Sequence, residues 1–137
     1  MGSGAVTWTS KKQQAVALSS TEAEYRGAVK AACEAVWLRQ MLADMQISQA
    51  GPTPLFCDNQ GVLKLAKNPV FHERTKHVET HCHFIRKLVE DGSVQLLYVP
   101  TEDQTADILT KSLSTDKFVK FRGHLGVVDR LSIKGGY

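Results

Sequence analysis

The chain is poor in cysteine. Its three thiols, Cys33, Cys57 and Cys82, are odd in number, far apart and form no C-x-x-C pair. That excludes a disulfide framework and fits a reducing, intracellular compartment. No run is apolar enough to cross a bilayer, so no membrane partner is expected. The N-terminus "MGSGAVTW" has neither the charge nor the apolar core of a signal peptide. Internal repeats and low-complexity tracts are absent. Acidic residues are missing before Glu22.

What is present suits one core. The 137 residues are 42% hydrophobic and 23% charged, with a net charge of +3. These are ordinary values for a globular domain. The mild basicity permits a nucleic-acid partner without demanding one.

"AVTW" and "QAVALS" alternate apolar and polar residues, which predicts strand. From Thr21 to about Met45 the pattern is helical and alanine-rich, until "SQAGPTP" breaks it. "PLFCD" reads as a buried strand and "NQGVLKLAKN" as a short helix. "VFHERTKHVETHCHFIRKLVEDG" starts as loop and becomes helix, with Gly92 as its stop. "SVQLLYVP" is a strand ended by Pro100. "TEDQTADILTKSL" is expected to be a capped helix, and one more short helix fits the tail. Strands alternating with helices imply an α/β layer structure, with chemistry gathered at the carboxyl ends of the strands.

Three acidic positions stand out, each with a bland rival. Ser19-x-x-Glu22 and Thr21-x-x-Glu24 both fit a capping box. Steps of three and four from Glu24 reach Ala28, Ala31, Ala35, Leu38 and Leu42. Glu24 is therefore expected to head the face that packs on the sheet. Glu22 falls on the side of Arg26 and Lys30, expected to be solvated, with a Glu22–Arg26 pair. Tyr25 lies just inside the helix. Asp58 ends a predicted strand, or caps the helix after it. Asp107 opens a late helix, or merely pairs with Lys111. Carboxylates gathered together repel unless they share a divalent cation, and oxygen ligands select Mg²⁺ or Mn²⁺ over zinc.

The blocks "AVTWTSKKQQAVALSSTEAEY", "EAVWLRQML", "FCDNQGVLKLAKNPVFHERTKHVETHCHFIR" and "VPTEDQTADILTKSL" extend over most of residues 5–127. In them the chain resembles the ribonuclease H domain of the Pol polyprotein of copia-type LTR retrotransposons. The resemblance implies four carboxylates holding two Mg²⁺ (or Mn²⁺) ions. Glu24, Asp58 and Asp107 match three of them, as catalytic and metal-binding residues. The implied reaction is hydrolysis of the RNA strand of an RNA–DNA hybrid during reverse transcription. The implied partners are that hybrid and the upstream reverse transcriptase part of Pol. The implied setting is cytoplasmic, in virus-like particles, or nuclear.

The family's first catalytic aspartate, on its first strand, has no counterpart here. Its first two strands, which form the middle of the family sheet, have none either. The expected fold is thus a ribonuclease H-like mixed sheet flanked by helices and lacking the first two strands. About three strands would remain where roughly four to six are typical. The expected domain covers residues 1–127, with 128–137 a loose tail. A bare sheet edge invites self-association. The isolated chain is expected to be inactive; the alternative is a non-catalytic nucleic-acid-binding or Pol-packing remnant.

Around His72, His77, His81, Cys82 and His83 a zinc site is conceivable, but the ligand set lacks a paired partner motif. The same stretch offers Arg74, Lys76, His77, Arg86 and Lys87 for phosphate contacts, or an ordinary solvated face. Glu102 and Asp103 precede Asp107 in a loop that holds a histidine in some ribonucleases H. They are weaker candidates for proton transfer or metal exchange.

Overall fold

The computed structural model describes residues 4–14, 16, 19–67 and 76–129, and for residues 76–78 the backbone alone. Helices α1 (Ser20–Asp44), α2 (Gln60–Lys67), α3 (Lys76–Glu90) and α4 (Thr115–His124) accompany strands β1 (Thr53–Cys57) and β2 (Val94–Tyr98). The architecture is mixed α/β with a two-stranded parallel sheet. Two compact units are found, Gln13–Pro100 and Met1–Lys12 with Thr101–Tyr137.

In the first unit, β1 and β2 run in parallel with Leu55 opposite Leu96. The connection between them passes through α2 and α3, as a parallel pair requires. Leu55 and Leu96 pack against a core built by Tyr25 and Ala32 of α1, Val62 and Leu65 of α2, and Cys82 and Ile85 of α3. Phe56, one residue along β1, is exposed. This is the period-two alternation of a strand with one covered face.

Helix α1 starts where Ser19 Oγ accepts the Glu22 N–H at 3.1 Å. It stops at Gln46, whose φ is +62°. The Gln46 N–H donates to the Ala43 carbonyl and the Ile47 N–H to the Leu42 carbonyl, both at 2.8 Å. This pair of bonds satisfies carbonyls the helix would leave orphaned. Gly92 (φ +75°) ends α3 and Gly126 (φ +69°) ends α4 in the same way. The expected stop at Gly92 is thus found. The expected helix end at about Met45 is found as well, with a glutamine in the stop position.

Three expectations are corrected. Among the described residues the sheet has two strands where about three were expected. No residue described between 4 and 19, the region of "AVTW" and "QAVALS", forms strand. A strand exists only as a hydrogen-bonded ladder with a neighbour. Here the Ala5 N–H instead donates to the Leu125 carbonyl at 2.9 Å, beside α4. The helix expected over "TEDQTADILTKSL" is two 3₁₀ turns, Thr101–Asp103 and Thr105–Leu109. Their bonds close at i→i+3, as from the Asp107 N–H to the Gln104 carbonyl. The loop expected at "VFHERT" and the tail from 130 onward lie outside the described residues.

In the second unit α4 buries Phe121, with Lys117 and Lys120 ammonium groups 5.6 and 5.9 Å from its ring centroid. Among the described residues no helix is long and apolar enough to cross a membrane.

Candidate active site

Strand β1 delivers Asp58 to its carboxyl end, one residue past the buried Cys57. The next residue decides what Asp58 does. Asn59 Oδ1 accepts the Gly61 N–H at 2.8 Å, so Asn59 is the N-cap of α2. The capping role that local sequence offered to Asp58 is therefore filled by its neighbour. Among the described residues nothing pairs with the half-buried Asp58 carboxylate.

Gly61 explains how close the two helix starts lie. A Cβ built on it would sit 2.9 Å from Asn59 Oδ1 and 3.1 Å from Thr21 Cγ2. Glycine thus lets the start of α2 lie close to the first turn of α1 without displacing the Asn59 and Thr21 side chains, and Glu24 follows Thr21 by three residues.

The stripe by which α1 packs differs from expectation. Tyr25 is 1% exposed and Ala32 0%, and Glu22, not Glu24, lies on their side at 8%. The packing face therefore runs through Glu22, Tyr25, Val29 and Ala32, steps of three and four from Glu22. Glu24 is exposed, one step round the helix. The expected Glu22–Arg26 pair is present at 2.6 Å. It forms on the buried side, where a cationic partner offsets the cost of removing a carboxylate from water.

The charge of Glu24 is nonetheless felt at the end of β1. Burial pushes the Cys57 thiol above its ordinary range, the Asn59 backbone opposes this, and the negative charges of Glu24 and Asp58 both add to the rise. One thiol thus feels both charges. Tyr25 ties α1 to α3 in the core. Its hydroxyl donates to the His81 carbonyl at 3.3 Å, and burial pushes the phenol far up. Sequence reading missed Tyr25, Asn59 and Gly61 as supports; the D-N-Q-G order after a strand was the available signal for the last two.

Asp107 belongs to the second unit. It is 7% exposed in the 3₁₀ turn Thr105–Leu109. Its carboxylate accepts from Lys111 Nζ at 2.9 Å, and its carbonyl accepts the Lys111 N–H at 2.9 Å. The pairing expected as the bland reading is thus present. Glu102 and Asp103 are tied to α4, by Lys117 at 3.3 Å and Lys120 at 2.6 Å. The hydrogen bond from Lys120 holds the Asp103 carboxyl below the usual range.

Of the basic candidates, Lys87 is exposed on α3. Arg86 is half-buried, and its Nε and Nη2 are enclosed without hydrogen-bond partners among the described residues. Arg74 and the side chains of Lys76 and His77 lie outside the described residues, as does His72. Cys82 is fully buried in the core, and His83 is exposed. Among the described residues no group of three or more His, Cys, Asp and Glu side chains is gathered for a metal ion.

The chain is 42% identical over 128 residues, 93% of its length, to the retrovirus-related Pol polyprotein from transposon RE2 of Arabidopsis thaliana. It is 42% identical over 127 residues to the corresponding polyprotein from transposon RE1 of the same plant. Over 115 residues, 84% of the chain, it is 41% identical to the retrovirus-related Pol polyprotein from transposon TNT 1-94 of Nicotiana tabacum. The chain spans 9% of the length of each of these relatives. No family model matches the chain. No solved structure matches it. Its homologues over nearly all its length are retrotransposon Pol polyproteins.

Proposed function

We propose, from its homology with retrotransposon Pol polyproteins, that this chain is the ribonuclease H portion of a copia-type polyprotein. Its reaction is metal-dependent hydrolysis of the RNA strand of an RNA–DNA hybrid. The observation that carries the reading is the Asp58 carboxylate. It stands at the carboxyl end of a parallel strand, relieved of capping by Asn59, and its charge acts with that of Glu24 on the Cys57 thiol. Two negative charges acting on one buried thiol oppose each other's presence, and a divalent cation would answer both.

The donor set fits a hard divalent ion, because carboxylate oxygens suit Mg²⁺ or Mn²⁺. Glu24 and Asp58 would hold it; Asp107, which the resemblance adds as a further ligand, belongs to the other unit. When bound, a pair of such ions supplies an activated water and neutralises charge on the leaving oxygen. The protein's own part is to hold its carboxylates in place: Tyr25 ties α1 to α3, Gly61 lets α2 start close to Thr21 of α1, and Lys111 orients Asp107. Lys87, with Arg74, Lys76, His77 and Arg86 in the same stretch, would contact backbone phosphates. Contacts to ribose 2′-hydroxyls would select RNA.

These residues supply three of the four carboxylates the reading calls for. The reading therefore assigns full activity to the chain when joined to the Pol sequence that carries the fourth, beside reverse transcriptase. One observation favours a non-catalytic remnant instead: the Lys111 ammonium already neutralises Asp107. A cleavage assay separates the two. The chain is fused behind the RE2 Pol segment that precedes the matched region, and RNA–DNA hybrid is supplied with Mg²⁺. Cleavage by the fusion, abolished by Asp58→Asn, supports the ribonuclease reading. A fusion that binds hybrid but never cleaves it supports the remnant.

A further inference from the structure

We propose that the outer face of α1 is a self-complementary surface that pairs with α1 of a second copy of this chain, antiparallel and centred on Trp37. The helix is apolar on two sides. One side is covered by the core through Tyr25 and Ala32. The other carries Cys33, Trp37 and Met41 in steps of four, all exposed, with Trp37 at 57% and Met41 at 39%. A tryptophan flanked by apolar neighbours on a helix surface is the composition of an interface centre.

The charges around that stripe say what covers it. In a two-fold interface, residue i meets j and j meets i. With two copies antiparallel about Trp37, Cys33 meets Met41, both four residues from the centre. Lys30 meets Asp44, both seven residues away and both exposed. Glu34 meets Gln40, whose Nε2 already donates to Asp44 Oδ1 at 2.9 Å. Apolar thus meets apolar, an amide meets a carboxylate, and a cation meets an anion at each end. A parallel pairing would stack Lys30 on Lys30 and Asp44 on Asp44, which repel. The seam from Lys30 to Asp44 is roughly 21 Å long at 1.5 Å per residue. Antiparallel helices crossing at about 20° stay in contact over such a length.

Sedimentation equilibrium of the 137-residue chain over a micromolar to near-millimolar range tests the pairing, with far-UV circular dichroism as the folding control for each variant. The expected result is a reversible dimer. Trp37→Asp weakens it by about 30-fold or more, as for the central residue of an interface. Lys30→Asp and Asp44→Lys each weaken it by about 5-fold or more, since each change strikes two contacts, and the double reversal recovers the wild-type constant to within about 2-fold. A chain that stays monomeric throughout overturns the proposal. So does a dimer indifferent to Trp37→Asp, which would place association on another surface such as the sheet edge. A double reversal no tighter than the single ones overturns it as well.

Discussion

Exchanging the roles of Asp58 and Asn59 is the sharpest perturbation of the site. Asn59 Oδ1 accepts the Gly61 N–H at 2.8 Å, so Asn59→Ala removes an N-cap. Such a loss costs about 1 kcal/mol, with a range of roughly 0.5–2. For a unit the size of Gln13–Pro100 that is a fall in Tm of about 4–8 °C. Asp58→Asn meets two small opposing effects. It removes repulsion with Glu24, and it removes a negative charge near the start of α2, where the helix dipole favours one. Each is worth a few tenths of a kcal/mol, so the net change lies within about 0.5 kcal/mol of zero. Thermal and urea unfolding of both variants, followed by circular dichroism, give the comparison. If Asp58→Asn costs as much as Asn59→Ala, Asp58 is a structural cap and the reasoning for a held, unpaired carboxylate fails.

Two further outcomes follow from the described geometry. Gln46 ends α1 at φ +62°, a conformation glycine adopts freely, so Gln46→Gly stabilises the chain by about 0.5–1 kcal/mol; a lower urea midpoint would show that the glutamine side chain is needed there. Folded Cys57 holds its proton more tightly than the ordinary thiol value of 9.0. Its contribution to stability is therefore complete below pH 9 and is lost as the pH rises from there through the raised folded value. Unfolding free energies measured from pH 8 to 10 fall for the wild-type chain and fall less for Cys57→Ala; equal slopes would contradict the burial of that thiol beside two carboxylates.

Local signals made much of this fold legible. Ser19, Gly92, Pro100 and the run "PLFCD" fixed where elements begin and end because each acts within a few residues. The packing face of α1 was not legible, because apolar residues ring the helix. Periodicity alone put Glu24 on the buried side; the burial of Tyr25 turns the face by one residue and puts Glu22 there instead. The strand at "AVTW" failed for a different reason: alternation describes a chain that can join a sheet, and joining depends on a neighbour elsewhere. Asp58 and Asn59 are both good capping residues, and sequence could not choose between adjacent ones. The hydrogen bond that the Gly61 N–H donates to Asn59 Oδ1 identifies the cap.

The ribonuclease reading requires that Glu24 and Asp58 bind a divalent cation. Titrating the isotopically labelled chain with Mn²⁺ and following paramagnetic broadening of its amide signals tests this most directly. Signals of residues 22–26 and 57–61 are expected to broaden first, and Asp58→Asn is expected to abolish that early broadening. Broadening that begins elsewhere, or that is unchanged in Asp58→Asn, would contradict the assignment of these carboxylates to a metal site.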